Sequence, residues 1–199
     1  MSISVKARKR SRAKEVLARA EDIRDAAMDD YLDEHGYTHL GDAIVADHAR
    51  HVSEYADDVA PLVAALGGPT DDPREFAAIA LGYVQSIPYQ SRAKVSNAYR
   101  RPLLVVARNK GDCDSKSTLL LALMRSAYPD LPLAVGYIPG HAFTGLGVEA
   151  ARGDITFRED GQTWVLAEPV GPALYGVGET KGKSRRRARW GMVDVRVAD

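Results

Sequence analysis

The chain has one cysteine in 199 residues, and that scarcity excludes an internal disulfide and any cysteine-rich metal site. A lone free thiol fits a reducing compartment. Long apolar runs are also missing, and no stretch approaches the length needed to span a bilayer. Net charge is missing too, with 27 Lys and Arg against 27 Asp and Glu. No global field therefore draws nucleic acid or a membrane surface to the chain. The N-terminus is basic, but Arg10 to Arg24 is charged throughout, so there is no apolar core of a secretory signal. The cytoplasm is the expected location, with export by a machinery that needs no cleaved signal as the other route. There is no internal repeat.

What is present is ordinary in amount and uneven in placement. A hydrophobic fraction of 45% over this length supports one well-buried domain, or one domain with a helical appendage. Lys6, Arg8, Lys9, Arg10, Arg12 and Lys14 crowd the start. Lys181, Lys183, Arg185, Arg186, Arg187 and Arg189 crowd a late segment.

Residues 1 to about 12 carry no periodicity and are expected to be disordered. From Ala13, apolar residues at Val16, Leu17, Ala20, Ile23, Ala27 and Met28 recur at helical steps, which predicts a helix to about Leu32. Gly36 and Gly41 punctuate the next stretch. His48 to Leu66 reads as a second helix, ended by Gly67-Gly68-Pro69. Asp72-Pro73-Arg74-Glu75 starts a third, with a cap, a first-position proline and a capping-box glutamate. That helix must stop before Pro88. Ser86 to Val106 reads mostly as loop, holding Tyr89, Gln90, Tyr99, Arg100, Arg101 and Pro102. A helix from about Asp114 to Tyr128 follows, stopped by Pro129. After Pro132 the period changes to that of strands: Leu133–Ile138, His141–Val148, Asp154–Phe157, Gln162–Ala167 after an Asp160-Gly161 turn, and Trp190–Val197. Helices first and an antiparallel sheet last make an α+β protein. Residues 1–70 read as a helical extension and 71–199 as the main domain.

The chemistry sits around the cysteine. Cys113 lies in Gly111-Asp112-Cys113-Asp114-Ser115-Lys116-Ser117, just before the apolar run Thr118 to Met124. A helix N-terminus favours a thiolate through its unpaired N–H groups and macrodipole. A neighbouring imidazole favours it further, and a third polar group can fix that ring. His141, after Gly140, and Glu168, at the end of a later strand, supply those groups. The backbone N–H of Cys113 is placed to receive an oxyanion. The plain alternatives are a small buried cysteine, a structural histidine and a solvated strand end. The carboxylates of Asp112 and Asp114 oppose a thiolate unless they turn away and cap the helix. His35, His39, His48 and His51 read as surface residues.

These words resemble the transglutaminase-like superfamily of papain-fold thiol enzymes. The resemblance rests on Gly111-Asp112-Cys113-Asp114-Ser115-Lys116, on Gly140-His141-Ala142-Phe143 after the strand from Leu133, and on Trp164-Val165-Leu166-Ala167-Glu168-Pro169. The upstream Tyr83-Val84-Gln85-Ser86-Ile87-Pro88-Tyr89 is similar to the segment before the nucleophile in that family. It covers roughly residues 75 to 175; residues 1–70 match no family pattern. It implies a papain/transglutaminase-like core, with the nucleophile helix on an antiparallel sheet. It implies Cys113 as nucleophile, His141 as base and then acid, and Glu168 as orienter. Aspartate is common at the third place, so glutamate is a departure that lengthens the arm. Gln85 and Gln90 are the candidates for a side-chain oxyanion donor. The implied reaction is acyl transfer at an amide of a peptide or protein, without metal or organic cofactor. Water as acceptor makes the enzyme a protease or amidase, and an amine makes it a transglutaminase. No calcium-loop pattern is present.

Two other classes remain open: a catalytically silent domain of this fold that binds a protein, and a nucleic-acid accessory protein using the basic clusters. Zero net charge speaks against the second. The Lys181–Arg189 cluster has no interleaved aromatics to stack bases, and its plain reading is a solvated loop.

Overall fold

The computed structural model describes residues 10–40, 43–90, 101–171 and 173–198. Lys6, Arg8, Lys9, Gly41, Tyr99 and Arg100, singled out above, lie outside them. The chain divides into two compact units, Met1–Asp47 and His48–Asp199, where the sequence reading placed the boundary near residue 70.

The first unit holds α1 (Arg10–Glu34) and a hairpin of β1 (Tyr37–Leu40) with β2 (Ala43–Ala46). The helix begins within the basic stretch expected to be disordered. Val16, Ile23, Met28 and Tyr31 on it are exposed, so its apolar repeat is only a weak guide to burial. The hairpin was not expected, because two four-residue strands are too short to show alternation.

The second unit contains α2 (His48–Glu54), α3 (Ala60–Ala65), α4 (Pro73–Ser86), α5 (Pro102–Arg108), α6 (Cys113–Ala127), β3 (Leu133–Ile138), β4 (His141–Leu146), β5 (Thr156–Glu159), β6 (Gln162–Ala167), α7 (Gly182–Arg189) and β7 (Asp194–Ala198). The single helix expected over 48–66 is two helices. Pro61 lacks an N–H and disfavours helical backbone on the residue before it, so the chain restarts there. The stretch expected to be loop before residue 106 includes α5, opened by Pro102 at its first turn. The start of α4 is capped as expected: the Asp72 carboxylate accepts from the Arg74 N–H at 2.9 Å.

The five-stranded sheet is antiparallel throughout, in the order β5-β6-β4-β3-β7. Asp160 and Gly161 both have positive φ, as a two-residue hairpin turn between β5 and β6 requires. Gly136 pairs with Phe143 across β3 and β4, and a Cβ there would lie 2.6 Å from the Phe143 ring. The aromatic ring of one strand therefore occupies the space left by the glycine of the next. The core follows α6, which packs on α2, α3, α4, α5, β3 and β4. Every residue from Ser115 to Met124 is buried. Helices packed around and against one antiparallel sheet make this an α+β protein. Among the described residues, no helix is long and apolar enough to cross a membrane.

Candidate active site

Cys113 opens α6 and is half-buried. The local word that places it has a structural reason at each position. A Cβ on Gly111 would lie 2.8 Å from the Lys116 stem, so the glycine admits that lysine beneath the turn. Asp112 is the N-cap, and its carboxylate accepts from the Ser115 N–H at 3.0 Å. The Asp112 carbonyl takes the Lys116 N–H at 3.0 Å. The first-turn amides of Cys113 and Asp114 have no partner within the helix ladder. Fully buried Lys116 donates to the Ile87 carbonyl at 2.8 Å. Burial lowers its pKa to about 8, against the opposing pull of the Glu168 carboxylate.

The strands bring the histidine and the acid together. His141 is the first residue of β4, delivered by the turn at Gly140, whose φ is +77°. Glu168 directly follows β6, the neighbour of β4 in the sheet. His141 Nε2 lies 2.9 Å and 3.1 Å from the two carboxylate oxygens of Glu168. Glu168 is 5% exposed and its oxygens are well supplied with donors. Ser184 Oγ donates at 3.3 Å, Thr180 Oγ1 at 3.5 Å and the Val170 N–H at 3.4 Å. Ser184 lies on α7, so a segment expected to be a solvated loop is a helix anchored on this acid. An ionised carboxylate only accepts. The facing nitrogen of a neutral His141 is therefore the protonated one, and Nδ1 carries the lone pair.

Cys113 meets β4 through a backbone contact. The backbone N–H of Ala142, next to His141, hydrogen-bonds its sulfur. On the other side Asp114 Oδ1 accepts from Sγ at 3.4 Å. Burial first, and then the Asp114 charge, push the thiol up to about 12, against the Ala142 bond. This corrects the expectation of a thiolate favoured at rest. Asp112 does turn away to cap the helix, but Asp114 stays against the thiol. The pKa of Asp114 is itself raised, by burial and by Asp112, with the Cys113 bond and His141 opposing.

The glutamines fall elsewhere. Buried Gln85 gives its amide N–H groups to the Glu168 carbonyl at 2.8 Å and the Tyr175 carbonyl at 2.9 Å. Both donors are committed, so it braces the Glu168 backbone and has none left for an oxyanion. Gln90 is exposed, and its backbone N–H bonds the Gly111 carbonyl at 2.9 Å. That bond fixes the turn before Cys113.

Two further residues carry the site without having been expected to. Asp114 was read only as an opponent or a cap. His48, read as a surface residue, is 3% exposed. Its Nδ1 lies 3.0 Å from Thr118 Oγ1, which itself donates to the Asp114 carbonyl at 3.0 Å. The ring therefore donates from Nδ1. Its Nε2 is 4.0 Å from Asp114 Oδ2. Burial, and secondarily His51, lower its pKa to about 3, so it is neutral. A helical His-x-x-His pattern gives no sign of that burial, which depends on α6 and on Tyr137 of β3.

Comparison with protein-family models gives no match, and comparison with curated proteins gives none. Among solved structures, the chain is similar to a candidate cysteine protease from Cytophaga hutchinsonii, at 16% identity and a TM-score of 0.42. The match covers 70% of this chain and 46% of that one, so this chain spans less than half of that protein's length.

Proposed function

We propose that the chain is a thiol-dependent acyl-transfer enzyme acting on an amide of a peptide or protein, with Cys113 as nucleophile, His141 as base and Glu168 as orienter. The observation that carries this reading is the His141–Glu168 pair, in which the residue after His141 gives its backbone N–H to the Cys113 sulfur. The motifs shared with the transglutaminase-like superfamily support the same roles.

In this reading the resting nucleophile is a protonated thiol. As sulfur attacks the carbonyl carbon, its proton passes to His141 Nδ1, and Glu168 stabilises the imidazolium. The carbonyl oxygen becomes an oxyanion held by the first-turn amides of α6. The tetrahedral adduct collapses as His141 returns the proton to the departing amine, leaving a thioester on Cys113. Water activated by the same imidazole then releases the acid. Hydrolysis is the preferred outcome, and an amine entering in place of water gives the transglutaminase outcome.

The raised thiol pKa also favours a second reading, a catalytically silent domain that binds a protein partner. Intact-mass measurement after mixing with an activated ester separates the two. The enzyme reading expects one acyl group on Cys113, formed fast in the wild type and decaying in water. Added amine that shortens its life and appears in the product identifies the transferase outcome. An adduct that forms no faster in the wild type than in His141→Ala overturns the enzyme reading.

A further inference from the structure

The basic cluster Lys181–Arg189 has an ordered form that the sequence reading did not anticipate. In α7, Ser184 and Ala188 are buried. Lys183, Arg186, Arg187 and Trp190 recur at three- and four-residue steps, and so share the other face. That face closes a cavity of about 230 Å³, whose remaining lining is Ile138 and Pro139. Among the described residues, Lys183, Arg186 and Arg187 make no ion pair or hydrogen bond to another side chain. Like charges at three- and four-residue spacing repel along a helix, so an anion entering the cavity relieves that repulsion. Trp190 is 69% exposed at its edge and offers an apolar face for the stem of a bound group.

Both walls of this cavity are joined to the candidate active site. Pro139 is followed by Gly140 and then His141 in the turn that delivers the base. Lys183 precedes Ser184, whose hydroxyl bonds Glu168. We propose that this cavity is a substrate subsite for an acidic side chain, so that the preferred substrate is a polypeptide with Glu or Asp near the reacting amide. The proposal deepens the function proposed above and rests on it. A small cavity lined by Ile138, the cross-strand partner of His141, suits one carboxylate, bound by the forks of Arg186 and Arg187. A nucleic acid strand needs a longer basic track with successive stacking rings, and α7 has one aromatic neighbour.

The test uses the full chain and short peptidyl electrophiles carrying Glu, Gln or Lys beside the reacting carbonyl. Modification of Cys113 is followed by mass. The expected result is a Glu-over-Gln rate ratio of about tenfold, with Lys slowest. Arg186→Gln/Arg187→Gln, and separately the exposed Lys183→Glu, should bring the ratio toward one. Both should leave iodoacetamide alkylation of Cys113 unchanged, which shows that the thiol and its surroundings are intact. A ratio near one in the wild type, or one that survives both variants, overturns the proposal. If the Gln probe still reacts in a His141-dependent way, the acyl-transfer reading stands while the subsite falls. If no probe reacts in a His141-dependent way, both fall. Tighter binding of a single-stranded oligonucleotide than of a Glu-rich hexapeptide to Cys113→Ala at physiological salt also overturns it, in favour of nucleic acid.

Discussion

Two histidines lie near the start of α6, and their surroundings treat them oppositely. His48 is enclosed by α2, α6 and β3 and bonded to a threonine hydroxyl. Its side chain is 3% exposed, whereas that of His141 is 24% exposed and faces a carboxylate. An imidazole buried as deeply as His48 resists a second proton, because burial penalises the charged ring. The His141 ring is instead held in orientation by the Glu168 carboxylate. Asp114 lies between these environments and feels both, with its outer side open to solvent. Burial and the distance to the facing carboxylate, 4.0 Å for His48 and 2.9 Å for His141, separate the two rings.

The comparison breaks most sharply on chemistry. His141→Ala is expected to slow acylation of Cys113 by a factor of about 10² to 10⁴, the usual scale of general-base catalysis. His48→Gln should leave that rate within about threefold. Stopped-flow acylation with an activated ester measures both, and equal losses would erase the distinction.

Next comes stability against pH. The folded His48 pKa of about 3 lies below the unfolded value of 6.5. Between those values the unfolded chain binds the extra proton, so stability is full above pH 6.5 and falls as the pH drops through this window. Denaturant titrations at pH 7 and pH 4.5 should differ by roughly 2 kcal/mol more in the wild type than in His48→Gln. An unchanged difference would mean that His48 is not held neutral.

Asp114→Asn removes a charge that raises the thiol pKa. Iodoacetamide alkylation at pH 8 should speed up by about threefold to tenfold, since one unit of pKa is tenfold in thiolate. A slower rate would show that Asp114 assists the thiol. The smallest effect belongs to Ser184→Ala, which removes one 3.3 Å bond to Glu168. It should lower the acylation rate by about twofold to fivefold, the scale of one hydrogen bond. A larger loss would make α7 a stronger determinant of the His141–Glu168 geometry than that bond suggests.

What could be read in the sequence follows the range of the interactions involved. β3 and β6 were legible to the residue because a short apolar run after Pro132 marks the first and the Asp160-Gly161 turn the second. The start of α6 was legible because Asp112 caps it within three residues. The helical form of Lys181–Arg189 was not, since its buried residues, Ser184 and Ala188, pack on residues distant in sequence. The Gln85 brace joins residues 83 and 90 positions apart, and no local pattern encodes such a bond. The raised thiol pKa was half legible: the acids flanking Cys113 were visible, but not which of them turns away.

The central claim is that Cys113 rests as a protonated thiol and loses its proton to His141 during attack. Paired pH profiles test it most directly, with alkylation by iodoacetamide reporting standing thiolate and acylation by an activated ester reporting assisted attack. The account predicts slow alkylation through neutral pH that climbs only in alkali, with acylation already fast at neutral pH and abolished in excess of alkylation by His141→Ala. Alkylation that reaches its plateau below pH 8, or acylation indifferent to His141, would contradict it.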